Sequence, residues 1–146
     1  MQLTHKVEIE ASPEVVWAAN EDVERWPELS ASMERVERLE DGELRLGSRA
    51  RIKQPRMPSA VWVVAELERG VSFRWESRSF GMQMAAVHEL ASAQTLEGGG
   101  SGGTTLTLIV EMSGLMARVA WPVARVMARR SMELEAAGFK AYCEGK

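Results

Sequence analysis

The longest helical pattern in the sequence, from Leu115 to Tyr142, is the feature that most constrains the fold. Apolar side chains recur at helical spacing with arginines between them, so the segment is predicted to be amphipathic. Pro122 lies inside the pattern and predicts a kink or a restart near Ala120–Trp121. Such a helix has to cover an apolar surface that the rest of the chain provides. Its predicted inward face consists of Leu115, Met116, Val119, Val123, Val126, Met127, Leu134, Ala137 and Ala141.

The preceding residues are predicted to provide that surface as a sheet. Residues 3–9 alternate apolar and polar side chains, which predicts a half-buried first strand. Ser12 and Pro13 then predict the start of a short helix, and a second short helix is expected around Trp26-Pro27. Residues 33–112 read as strands and tight turns. This order predicts one α+β domain, residues 1–146, with about seven antiparallel strands.

Two turn-forming segments fix the expected pairing of the later strands. A two-residue turn at Phe80-Gly81 would place Trp75 opposite Ala86 and Phe73 opposite His88. The glycine-rich segment 97–103 lacks the lysine and the strand-to-helix context of a phosphate-binding loop. It is therefore predicted to be a hairpin connection.

Composition and charge narrow the class of function. The net charge of −3 argues against a nucleic-acid partner, which requires a concentrated basic face. The sequence has one cysteine, Cys143, no apolar leader at its N-terminus and no apolar run long enough for a membrane span. These features predict a cytoplasmic protein without an integral membrane segment. The arginines at 118, 125, 129 and 130 form either a solvated helix face or a surface for acidic lipids; Glu133 and Glu135 weaken the second interpretation.

The element order resembles the START-like, or SRPBCC, superfamily, whose fold is called helix-grip, and most closely its polyketide cyclase/dehydrase-type branch. Residues 7–17, VEIEASPEVVW, carry the likeness together with Trp26-Pro27. Further similar segments are Gly70–Trp75, Phe80-Gly81, His88–Leu90 and Ser113–Leu115. The resemblance implies a long C-terminal helix gripped by a curved sheet, with a cavity between them. Members of this superfamily bind lipids, isoprenoids and polyketides, and some cyclise or dehydrate polyketides.

Candidate site residues follow from the predicted inner face of the sheet and the final helix. The sequence has five tryptophans and nine methionines, side chains that suit either a cavity wall or a packed core. His88 would orient a ligand carbonyl or move a proton if it faces the cavity; otherwise it is a core histidine with a local hydrogen bond. The predicted ligand-binding residues are Trp26, Phe73, Trp75, Met84, His88, Val123, Met127 and Arg130.

Arg130 is the second candidate for chemistry, after His88. On a helical wheel it lies within the predicted apolar stripe, so it should reach the cavity or its rim as the main charged group there. Its partner would be Glu66, Glu89 or an anionic group of the ligand. Alternatively, Pro122 rotates Arg130 to the edge, or the guanidinium reaches water while the stem packs.

Three functions remain open from the sequence. The first is binding of an apolar or amphipathic small molecule, and the second is a polyketide cyclase or dehydratase that uses His88 and Arg130. The third is a protein-interaction module. No spacing of histidine, cysteine and carboxylate residues indicates a metal site, so neither a metal nor a cofactor is predicted. The ligand and the oligomeric state are not specified.

Overall fold

A computed structural model describes residues 1–79, 81–93 and 103–145 of the chain. The strands are β1 Gln2–Ile9, β2 Arg35–Arg38, β3 Arg49–Lys53, β4 Ala60–Glu68, β5 Ser72–Ser79, β6 Met82–Ala93 and β7 Gly103–Ser113. The helices are α1 Pro13–Glu21, α2 Trp26–Leu29 and α3 Ala117–Cys143, and a 3₁₀ turn at Val23–Arg25 precedes α2. Phe80 and most of the predicted glycine-rich connection lie outside the described residues.

The seven strands form one antiparallel, curved sheet in the order β1-β7-β6-β5-β4-β3-β2. This confirms the predicted helix-grip architecture, with two short helices after the first strand and one long helix at the end. The β5–β6 register is also the one predicted: Trp75 pairs with Ala86 and Phe73 with His88. Because neighbouring residues of a strand point to opposite faces, this register decides which side chains face α3.

Local sequence signals explain how the helices begin. The Ser12 hydroxyl accepts a hydrogen bond from the Val15 backbone N–H, and Pro13 occupies the first turn of α1. Before α3, Gly114 has a φ of 108°, a conformation that side-chain-bearing residues rarely adopt. A Cβ at this position would lie 2.5 Å from the Gly81 carbonyl oxygen. The glycine therefore lets the chain turn closely against the β5–β6 connection.

The core lies between the sheet, the short helices and the second half of α3. That half buries Met132, Ala136 and Phe139. Gly138 allows α3 to approach α2, because a Cβ there would lie 2.1 Å from the Leu29 carbonyl oxygen. The two halves of α3 thus pack differently: the first half buries Ala117, whereas the close contact with α2 and the larger buried side chains belong to the second.

Two expectations for α3 are wrong. The predicted restart near Ala120–Trp121 does not occur, because the helix runs without interruption through Pro122; a bend at this proline stays a prediction. The predicted inward stripe is also rotated away from the sheet: Val119, Val123 and Val126 are exposed. The physical reason is that small side chains, and not the valines, face the sheet along the first half of the helix.

Candidate functional site

A cavity of about 690 Å³ lies between the inner face of the sheet and the part of α3 that runs from Ala120 to Glu135. Its volume falls within the range of roughly 300–1,000 Å³ that small-molecule sites occupy. The surrounding strands are β3 to β7, and the loop between β3 and β4 closes one side. Apolar side chains that line it include Trp26, Met33, Ile52, Trp62, Trp75, Met84, Leu108, Val110, Met112 and Met127.

Small residues on α3 leave the space for this cavity. Ala120, Ala124, Ala128 and Ser131 line it at spacings of four, four and three residues. Such spacing places side chains on one face of a helix. Because none of them is longer than a serine, the helix backbone stands away from the sheet without its side chains filling the gap.

Aromatic side chains form the inner end of the cavity. The rings of Trp26 and Trp75 meet edge to face with centroids 5.2 Å apart, and Phe139 of α3 meets Trp26 at 5.7 Å. The indole N–H of Trp26 donates to the Ala19 carbonyl at 3.3 Å. Trp26 therefore has its polar group satisfied within the protein and offers a ligand only apolar surface.

His88 is buried at this inner end, in contact with two aromatic rings. Its ring stacks on Phe73 at 4.7 Å and on Trp26 at 5.0 Å. Its Nδ1 lies 2.7 Å from Oδ1 of Asn20, whose amide nitrogen donates to the Val16 carbonyl at 2.8 Å. Because the amide group of Asn20 uses its donor on Val16, its oxygen must accept the Nδ1 proton. The arrangement selects the tautomer whose Nε2 is a hydrogen-bond acceptor.

Burial keeps His88 neutral. Loss of hydration lowers the pKa of its imidazole from 6.5 to about 3. At neutral pH the protonated form is then populated at roughly one part in ten thousand. His88 is consequently suited to accept a hydrogen bond from a ligand hydroxyl and poorly suited to take up a proton as a general base.

Glu135 is the one carboxylate that lines the cavity within the described part of the chain. Its half-buried side chain has no hydrogen bond or ion pair there, and no hydrogen bond joins it to His88. Loss of hydration raises the pKa of this carboxyl group from 4.5 to about 7. Glu135 is therefore divided between acid and carboxylate near neutral pH, so it can donate or accept a hydrogen bond inside the cavity.

The mouth of the cavity lies between α3 and the β3–β4 loop. Arg56 and Pro55 of the loop and Met127 and Arg130 of the helix are exposed and also line the cavity, which places them at this rim. Arg56 has a φ of 64°, an uncommon left-handed conformation for a residue with a side chain. The rim is positively charged, whereas Glu135 brings a carboxyl group to the cavity wall.

Six of the eight residues predicted to bind a ligand line the cavity: Trp26, Trp75, Met84, His88, Met127 and Arg130. Whether they bind a ligand stays a prediction. The placement of the other two was wrong. Val123 lies on the exposed side of α3, because the alanine row takes the inward position. Phe73 is fully buried and does not line the cavity, because the rings of Trp17, Trp26, Trp75 and His88 surround it.

Neither Glu66 nor Glu89 pairs with Arg130, so these two predicted partners are wrong, and pairing with an anionic group of a ligand stays a prediction. Glu66 lies 3.8 Å from Arg74 on the neighbouring strand, and Glu89 is exposed. Arg130 shares the rim with Arg56, and the sequence interpretation missed Glu135 as a charged group of the cavity. A signal for Glu135 was present, because it continues the row of small residues four positions after Ser131.

Neither a metal site nor a membrane span is found among the residues that the structure describes. They contain no cluster of three or more histidine, cysteine, aspartate or glutamate side chains able to hold a metal ion. No helix among them is long and apolar enough to cross a membrane.

Comparison with solved structures shows the same fold in several proteins of low sequence identity. A START superfamily protein from Mycobacterium smegmatis is 14% identical, with a TM-score of 0.78 over 99% of this chain and 97% of that one. Zhui aromatase/cyclase from Streptomyces sp. R1128 is 16% identical, with a TM-score of 0.77 over 99% and 93%. Truncated norcoclaurine synthase from Thalictrum flavum is 11% identical, with a TM-score of 0.70 over 94% and 91%.

Sequence comparison gives the family. No curated protein sequence matches this chain. The profile of the family described as polyketide cyclase/dehydrase and lipid transport matches residues 1–144, nearly the whole chain. The match agrees with the seven-stranded sheet, the long final helix and the cavity between them. The chain therefore belongs to the polyketide cyclase/dehydrase and lipid transport family.

Proposed function

We propose that this protein binds an amphipathic small molecule of lipid-, isoprenoid- or polyketide-like character in the cavity under α3. The observation that carries the proposal is the cavity of about 690 Å³ with its mainly apolar lining. An apolar ligand body placed there would be removed from water, which contributes roughly 25 cal/mol for each Å² of apolar surface buried. The methionines at 84, 112 and 127 can adapt to ligands of different shape.

Glu135 and His88 would recognise the polar group of such a ligand. In its acid form Glu135 donates a hydrogen bond to a carbonyl or hydroxyl oxygen, and Nε2 of His88 accepts one from a hydroxyl. These two groups favour a ligand with a hydroxyl or carbonyl function over a plain hydrocarbon. A polar group of the ligand near Glu135 would also offset the cost of having this carboxyl unpaired.

A second candidate function is enzymatic, as a cyclase or dehydratase that transfers protons in the same cavity. The observation that favours it is the pKa of Glu135, about 7, because general acid–base catalysis works best with a group that titrates near the working pH. Glu135 would then be the residue that transfers the proton. His88, with its pKa near 3, would position the substrate.

A substitution that fills the cavity tests the binding proposal. Ala124→Trp places an indole among the lining residues, whereas Ala137→Trp adds the same side chain to an exposed position of the same helix. We expect the first variant to lose binding of a hydrophobic fluorophore such as anilinonaphthalene sulfonate, and the second to bind as the wild type does. Equal binding by both variants would show that the fluorophore occupies another surface.

A second variant separates carriage from catalysis. Glu135→Gln keeps the side-chain volume and the hydrogen-bonding capacity but cannot transfer a proton. If the protein is a carrier, the variant should bind the ligand with an affinity within roughly tenfold of the wild type, because one hydrogen bond changes the affinity by about that factor. An enzyme should retain binding and lose turnover of a linear polyketide substrate by about a hundredfold or more. Mass spectrometry of the native protein under non-denaturing conditions would provide the ligand mass.

A further inference from the structure

The first half of α3 presents a row of exposed apolar side chains that neither the core nor the cavity uses. Val119, Val123 and Val126 are 73%, 67% and 65% exposed, and Leu115 just before the helix is 94% exposed. Single exposed valines are ordinary on protein surfaces, whereas a contiguous row indicates an interaction surface. We call Leu115, Val119, Val123 and Val126 the valine face.

The stretch of chain that carries the valine face has only positive charges, and the first acidic residue after it is Glu133, seven residues past Val126. Residues 115–132 contain four arginines and no aspartate or glutamate, although the whole protein has a net charge of −3. Arg118, Arg125 and Arg129 are exposed, and the side chains of all three are free of ion pairs within the described residues. A concentrated cationic segment on an acidic protein favours an anionic partner.

Helical geometry places the valine face between the arginines and the cavity. At about 100° per residue, the three valines cover an arc of roughly 60°, with Arg118, Arg125 and Arg129 along one edge. Arg130 lies within this arc, one turn past Val126, and the opposite edge leads through Met127 to the alanine row that lines the cavity. Apolar surface is thus bordered by cations on its outer side and by the cavity mouth on its inner side.

We propose that the valine face docks on the surface of an anionic lipid bilayer. An amphipathic helix binds there with its apolar side chains at the boundary of the acyl chains and its arginines among the lipid phosphates. A second copy of this chain suits the face less well, because it would bring two acid-free arginine rows together. Docking of the valine face turns the adjacent cavity mouth, with Arg56 and Arg130, toward the lipid.

Vesicle flotation tests the proposal with the full chain. Vesicles of equal parts phosphatidylcholine and phosphatidylglycerol are compared with vesicles of phosphatidylcholine alone. The test variant replaces Val119, Val123 and Val126 with Gln, and the matched control replaces Val61, Val63 and Val71, three exposed valines outside α3. We expect the wild type and the control to float with the anionic vesicles only, and the test variant to remain unbound.

A second set of variants tests the contribution of the arginines to vesicle binding. Arg118→Gln, Arg125→Gln and Arg129→Gln together should weaken the partition onto anionic vesicles by about tenfold or more, since each cation near such a surface contributes roughly fivefold. The same change at Arg35, Arg45 and Arg78, which lie outside α3, should have little effect. Added salt should weaken the binding of the wild type.

Three outcomes would overturn the proposal. They are a wild type that binds no anionic vesicle, equal flotation of the valine variant and its control, and a valine-dependent dimer in sedimentation equilibrium without vesicle binding. Fluorophore binding in vesicle-free solution should be unchanged in the valine variant. Failure of membrane docking is therefore distinguishable from failure of the cavity to bind a ligand.

Discussion

Glu135→Gln should remove a pH dependence of stability that the cavity imposes on the protein. Between pH 4.5 and 7 the folded state holds a proton on Glu135 that the unfolded state has released. The free energy of unfolding therefore falls as pH rises through this window, and it levels off above pH 7. The amide side chain of the variant has no such proton to lose.

The size of the effect follows from the shift of the carboxyl pKa from 4.5 to about 7. At about 1.4 kcal/mol for each pH unit, it amounts to at most about 3 kcal/mol. Water inside the cavity lowers this value, because it screens the carboxylate. Relative to the wild type, Glu135→Gln should thus gain up to about 3 kcal/mol of stability between roughly pH 4 and pH 8.

Urea unfolding followed by tryptophan fluorescence at a series of pH values measures this difference. Subtracting the wild-type curve cancels the contribution of every other titrating group that the substitution leaves unchanged. Glu133→Gln is the matched control, because Glu133 is exposed on the same helix. A stability difference between Glu135→Gln and wild type that does not change with pH would refute the assignment of Glu135 to a poorly hydrated cavity wall.

Three further predictions concern the inner end of the cavity and the packing of α3. Asn20→Ala should lower the free energy of unfolding in urea by about 1–3 kcal/mol, because the Nδ1 proton of His88 loses its acceptor. In ¹⁵N NMR spectra His88 should stay neutral and Nδ1-protonated down to about pH 4, and an imidazolium signal at pH 5 would contradict its burial. Gly138→Ala should destabilise the protein by more than about 2 kcal/mol in thermal unfolding, despite the better helix propensity of alanine, because its Cβ would collide with the Leu29 carbonyl. Unchanged stability of that variant would show that α3 is free to move away from α2.

The same apolar cavity shifts the pKa values of His88 and Glu135 in opposite directions, because one is a base and the other an acid. Poor hydration disfavours the charged form of either group, so the pKa of His88 falls and that of Glu135 rises. The histidine consequently stays in one protonation state across the physiological range. The carboxyl group changes its state within that range, which makes Glu135 the residue through which pH can affect ligand binding.

Patterns of short range were sufficient to predict the α+β class and the strand pairing, to which the family resemblance added the helix-grip arrangement. Alternation in residues 3–9, the Ser12 cap and the Phe80-Gly81 turn each depend on neighbours in the sequence, and the two faces of a strand follow from its period of two. The register that directs Trp75 and His88 inward was predictable for this reason. The burial of His88 followed from the apolar residues on its face.

The orientation of α3 was decided only by the tertiary structure. The helix offers two candidate inward faces, one with Val119, Val123 and Val126 and one with Ala120, Ala124 and Ala128. A rule that places the larger apolar side chains inside selects the first. The structure selects the second, because the close approach of Gly138 to Leu29 and the burial of Phe139 fix the rotation of the whole helix. That rotation brings Glu135 to the cavity wall and leaves the valines on the surface, since a rigid helix turns all of its side chains together.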